Sequence, residues 1–362
     1  DVPLFLPVYA HRRLADLRLL AADEDQGHMG RGPHQGGRMD GQLIFSSGWE
    51  WGYWLNDVVA ARSAWDPHAD ITDDDAALRA ALEPVVRPFG VAADDVAALL
   101  ASAMQMQLDL LILGRVGGQP PADVVRRNGQ AYLQGVESWD DIADLAESLG
   151  FHPTQPDKLG LVEMRNPLHS PPGYSAEVEP LLAEMVTTLS DLADQLEGLS
   201  ASIPDPARPL FDDLLASARI TALRAVQVHG LYDYVDGFLT APQAWRQARL
   251  QAAQDALDQA QALVLQREPH YRADPERIAG WGNNPTAYEF GYLWTVRSLY
   301  FWWRDEGKAT EIPISPCYRN IIHPVDVGMG EGLGFDAANI LADVFGTVPG
   351  IGSISECMTV PT

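Results

Sequence analysis

Residues 41–57 read GQLIFSSGWEWGYWLND and hold the most chemically capable side chains of the sequence. Trp49, Trp51, Tyr53 and Trp54 are large and flat; Glu50, Asn56 and Asp57 are polar. Aromatic rings stack on the apolar C–H faces of a sugar, while a carboxylate accepts its hydroxyls or moves a proton. The pattern points to a carbohydrate subsite. Glu50 and Asp57 are its candidate catalytic carboxyls, and Trp49, Trp51, Tyr53, Trp54 and Asn56 its candidate substrate-binding residues. A carboxyl held against tryptophan is disfavoured as the anion, which keeps a general acid protonated near neutral pH. The competing expectation is packing: the tryptophans join a strand to a helix, and Glu50 pairs with an arginine.

A second patch lies in a later segment that is otherwise apolar. His229, Asp233 and Asp236 fall at i, i+4 and i+7, one face of a helix, with Tyr232 and Tyr234 between them. A histidine one turn from a carboxylate is a usable proton-transfer pair. A hydrogen-bonded network between helices would use the same residues. His28 and His34 follow Asp23, Glu24 and Asp25 but match no ligand spacing, so a surface loop is expected there and no metal. No cofactor is implied. The chain has no GxGxxG after a strand, no P-loop, no GxSxG, no HExxH and no CxxC.

The elements that must hold these residues are mostly helices. Residues 1–10 read as a strand, 11–25 as a helix, 26–41 as a glycine-rich loop and 42–46 as a buried strand, together a βαβ unit over 1–53. The Trp- and Glu-bearing loop then sits at a strand's carboxyl end, where α/β folds build sites. Helical periodicity follows at 53–65, 73–86, 94–116, 121–135, 139–149, 175–199, 209–239, 242–266 and 288–303. Residues 151–173 hold five prolines and no period, a candidate internal boundary. The aromatic-rich helix around Tyr300 and Trp302 reads as core. The expected fold is mainly α: a βαβ remnant at 1–53, an irregular multi-helix domain at 54–306, and a loop-rich tail at 307–362.

Several glycoside hydrolase families that act on amino sugars place a helical domain directly after a (β/α)8 barrel. This chain resembles that order coarsely: a βαβ remnant with a Trp- and Glu-bearing loop, then helices. The resemblance implies that residues 1–53 close a larger TIM-like barrel. It also implies a preceding segment or a second chain of the same precursor, which could supply a catalytic carboxyl in place of Asp57. No family motif matches residue by residue, so no catalytic residue is carried across.

Bulk properties bound the alternatives. The chain has 362 residues, 46% of them hydrophobic and 21% charged, enough for a sizeable core. Its net charge of −25 repels nucleic acid and anionic membrane surfaces. No apolar run approaches the ~20 residues of a membrane-spanning helix. The chain begins at Asp1, not Met, which suggests the later part of a longer precursor. Heavy Arg and Ala usage suggests a bacterial genome rich in G and C. The two cysteines, Cys317 and Cys357, both lie in the tail. A bond between them would staple a segment with little helical pattern and would place the protein in an oxidising compartment, extracellular or periplasmic. The functional expectation is a secreted carbohydrate-active protein resembling a glycoside hydrolase, with a carbohydrate ligand. The alternative is a secreted interaction or structural protein whose aromatics only pack.

Overall fold

The computed structural model describes residues 4–28, 54–120, 128–134, 158–161, 164, 174–271 and 299–310. Helix accounts for 82% of these residues and none of them lies in a strand, so the protein is mainly α. The helices are α1 (Val8–Asp25), α2 (Trp54–Trp65), α3 (Asp74–Val86), α4 (Ala93–Gln107), α5 (Gly129–Gln134), α6 (Glu179–Leu199), α7 (Arg208–Asp236), α8 (Gln243–Tyr271) and α9 (Tyr300–Thr310). The expected strand at 42–46, the Trp- and Glu-bearing loop at 49–53, and the cysteine tail lie outside the described residues.

The first expected strand is corrected. Residues 4–6 are irregular and α1 already begins at Val8, after Pro7 with φ −62°. Proline's fixed φ suits a helix start. The apolar run that mimics a strand is instead a buried plug: Leu4, Phe5 and Leu6 are all at most 5% exposed. Its backbone needs partners, and side chains supply them in place of a neighbouring strand. The Phe5 N–H donates to Thr221 Oγ1 at 2.6 Å, and Gln107 Nε2 donates to the Phe5 carbonyl at 2.8 Å. The Val8 N–H donates to Gln107 Oε1 at 3.3 Å, and Asn56 Nδ2 donates to the Leu6 carbonyl at 3.4 Å. Short apolar runs carry no period that separates strand from buried coil.

The chain divides into two compact units. The first comprises residues 3–112 and 187–221. In it α1 packs on α2, α3 and α4, α2 on α3, and α3 on α4. Leu14, Leu55, Val59, Leu82, Val96, Leu100 and Met104 form the apolar interior. Phe89 meets Phe211 edge to face at 5.6 Å. Asp73 caps α3 by accepting the Ala76 N–H at 2.7 Å, and Asp74 and Asp75 follow in the first turn, where the helix dipole favours them. Gly90 (φ 64°, ψ −125°) reverses the chain between α3 and α4. The stretch Asp74–Ile112 contains an 18-residue window of mean hydropathy 1.3, apolar and long enough to cross a membrane by length and composition, with 39% of it buried. The stretch is not one rod, because α3 and α4 fold back on each other at Gly90.

The second unit comprises residues 113–186 and 222–362. Gly230 on α7 meets α8 so closely that a Cβ there would lie 2.8 Å from the Arg249 carbonyl oxygen. Three rings form a second core: Tyr132 lies edge to face on Tyr232 at 5.3 Å, and Tyr174 stacks on Tyr232 at 6.1 Å. Tyr132 Oη accepts the Leu159 N–H at 2.9 Å, and Tyr232 Oη donates to the Leu159 carbonyl. Helix α9 runs on to Thr310, past the expected end of the helical domain.

Candidate functional site

Two polar clusters stand out, one in each unit. The first lies at the start of α2. Of the candidate sugar-binding residues, Trp54, Asn56 and Asp57 are described; Trp49, Glu50, Trp51 and Tyr53 lie outside. Leu55 and Val59 anchor α2 in the core, fully buried, which turns Asn56 inward to 7% exposure. Asn56 Nδ2 is used on the Leu6 carbonyl, but its Oδ1 is buried with no hydrogen-bond partner among the described residues. Trp54 Nε1 and Asp57 Oδ1 are in the same condition. Buried polar atoms are normally paired, and each one left unpaired costs ~1–3 kcal/mol. These three atoms within four residues, one donor and two acceptors, have no partner among the described residues, and residues 29–53, which run directly into them, lie outside those. His11 Nδ1, on α1, is likewise buried without a hydrogen-bond partner among the described residues. Burial lowers its pKa, against the opposing charges of Asp74 and Asp75.

The second cluster surrounds Asp233 on α7. Tyr174 Oη donates to Asp233 Oδ1 at 2.7 Å, and Arg249 Nε lies 3.2 Å from Oδ2. His229 Nε2 lies 3.6 Å from Asp233 Oδ2 and 3.6 Å from Glu179 Oε1. These distances exceed hydrogen-bonding length, so the imidazole stands between two carboxylates without being tied to either. Burial, then the charge and hydrogen bond of Asp233, push the Tyr174 phenol well above its ordinary pKa. Tyr174 therefore remains a proton donor at any working pH. Asp236, at the exposed rim, has its pKa raised by its partial burial and then by the charge of Asp233. The arrangement can hold and pass a proton along His229, but it also fastens α6, α7 and α8 to one another. His229 and Asp233 meet as their spacing implied; Asp236 joins only through its field. Tyr174, Glu179 and Arg249 were not singled out from the sequence. They come from distant segments, and nothing local marks them.

His28 is exposed on the surface, 3.8 Å from Asp23, and His34 lies outside the described residues. Among the described residues no three His, Cys, Asp or Glu side chains are grouped to hold a metal. Compared with known proteins, the chain matches no family model, and neither a curated protein nor a solved structure shows significant similarity to it.

Proposed function

We propose that the chain is a secreted carbohydrate-active protein resembling a glycoside hydrolase, whose sugar site is built on the Trp49–Asp57 segment. The observation that supports this reading is that buried polar atoms of Trp54, Asn56 and Asp57 have no hydrogen-bond partner among the described residues, in a stretch that directly follows the aromatic segment around Glu50 in the sequence. A hydroxyl-rich ligand offers both donors and acceptors to such atoms, and tryptophan and tyrosine, the residue types adjoining in the sequence, are the ones that stack on sugars. Glu50 is the proposed acid and Asp57 the second carboxyl. A bond between Cys317 and Cys357 would belong to the extracellular or periplasmic compartment proposed with it.

Titration with chito- and gluco-oligosaccharides tests the binding half. Trp54→Phe keeps an aromatic side chain but loses the indole N–H and the second ring, so affinity should fall at least roughly tenfold. Unchanged affinity removes Trp54 from the site. Glu50→Gln tests the catalytic half: turnover should fall at least ~100-fold with stability unchanged, the usual lower scale for general acid–base work. A loss of ~3–5 kcal/mol in stability would instead mark Glu50 as the partner of a buried arginine. The second reading, an interaction protein whose aromatics only pack, is favoured by Trp302, which is fully buried, and by the buried Tyr132–Tyr232–Tyr174 stack. Absence of any oligosaccharide binding together with a stable, unchanged Glu50→Gln variant would select it.

A further inference from the structure

A groove of about 1130 Å³ runs between α3 and α4 in the first unit. Its wall on the α3 side is a row of exposed charges spaced by four: Asp75, Arg79, Glu83 and Arg87. Its floor on α4 is shallow, because Ala97, Ala98 and Ala101 contribute no atoms beyond Cβ. The charges alternate acid, base, acid, base. Reversed end to end, that row is the complement of itself. About a two-fold axis at the middle of the row, Asp75 faces Arg87 of a second copy and Arg79 faces Glu83, four opposite pairs and no like pair. A two-fold contact needs this self-complementarity.

From this we infer that the α3–α4 groove is a self-association face, on which a second copy of the chain docks with its α3 antiparallel. The row of four is electrically neutral within a chain of net charge −25, while Asp94 and Asp109 on the α4 side leave the groove as a whole acidic, so the attraction between two copies rests on the row's four opposite pairs. The alanine floor admits the partner's helix ridge close to the α4 backbone. The competing explanation is a solvated ladder within α3. It is represented by the Arg87–Glu83 pair at 2.9 Å, but both partners are well exposed, at 72% and 60%, and such pairs are weakly held. This inference is independent of the sugar site at α2.

Sedimentation velocity on the full chain tests it, with two charge-reversal variants. Arg79→Glu with Arg87→Glu makes the row all acidic; Asp75→Arg with Glu83→Arg makes it all basic. The wild type should sediment as a dimer, and each variant alone should associate at least ~100-fold more weakly through like-charge opposition. An equimolar mixture of the two should restore a dimer containing one of each. Ala98→Trp, which fills the groove and leaves the charges intact, should also give monomer. A monomeric wild type overturns the inference, as does a wild-type dimer that survives in the all-acidic variant or in Ala98→Trp, or a mixture of folded variants that stays monomeric.

Discussion

Arg224 is a guanidinium with no solvent exposure, and each of its three nitrogens has an acceptor. It pairs with Asp305, donates to the Leu133 carbonyl at 3.0 Å and to Gln227, and lies 5.5 Å from the Trp302 ring centre. Removing one partner of a buried pair strands the other, so Arg224→Met should cost ~3–5 kcal/mol. Arg224→Met with Asp305→Leu removes both charges and should cost much less; urea denaturation in a double-mutant cycle measures the difference. Additive losses would mean that the pair is not coupled. Asp236 gives a pH signature of known sign. Its raised pKa means that the folded state holds its proton more tightly than the unfolded chain does. Stability is therefore lost as pH rises from the ordinary carboxylate value through the raised one. Asp236→Asn should melt higher than wild type near neutral pH and with it in acid, where both carry no charge there. An equal melting temperature at both ends would show that the burial and the Asp233 field are unimportant. Of this, the sequence showed only the i, i+4 and i+7 relation of His229, Asp233 and Asp236. An arginine in an apolar stretch such as Arg224 gives no sign of a carboxylate 81 positions away.

Among elements, most of the helices within the described residues were legible and the start of the chain was not; the expected helix at 139–149 and most of the one at 288–303 lie outside the described residues. The expected 73–86 helix is α3 with Asp73 as its cap, and the expected 175–199 helix is α6 preceded by a π turn at Tyr174–Val178. Long amphipathic periods survive burial on one side, which is why they read correctly. Residues 4–8 failed because their backbone bonds go to Thr221 and Gln107, side chains that no local pattern announces. Three glycines turn the helix packing into a graded prediction. Gly90 has a positive φ, and a Cβ there would lie 2.9 Å from Pro204 Cγ. Gly230→Ala would press a methyl against the backbone of α8. Gly198, in α6, has nothing within 4 Å of its would-be Cβ. Gly90→Ala should destabilise by more than ~1 kcal/mol and Gly230→Ala by ~1–3 kcal/mol. Gly198→Ala should stabilise by up to ~1 kcal/mol, the helix-propensity difference. Thermal melts of the three variants check the order; a destabilising Gly198→Ala would break it.

For the molecule as a whole the decisive quantity is charge. Fifty acidic residues face 25 basic ones, and the imbalance must be carried largely at the surface. Salt acts on this in two opposing ways. It weakens exposed attractions such as Arg18–Asp74 at 3.2 Å and Arg87–Glu83 at 2.9 Å. It also screens the mutual repulsion of the surplus carboxylates. Exposed pairs contribute ~0–1 kcal/mol each, whereas repulsion among a net −25 charges grows with every pair of like charges brought together by folding. The screening length falls from ~30 Å at 0.01 M to ~8 Å at 0.15 M, from longer than most separations in the fold to shorter. Repulsion, being long-ranged, loses more than the contact pairs do, and the buried Arg224–Asp305 pair is shielded from the ions altogether. The melting temperature should therefore rise with sodium chloride over that range and level off once the screening length is short. A melting temperature that falls with salt would mean that specific surface pairs, not net charge, dominate the electrostatics of this fold.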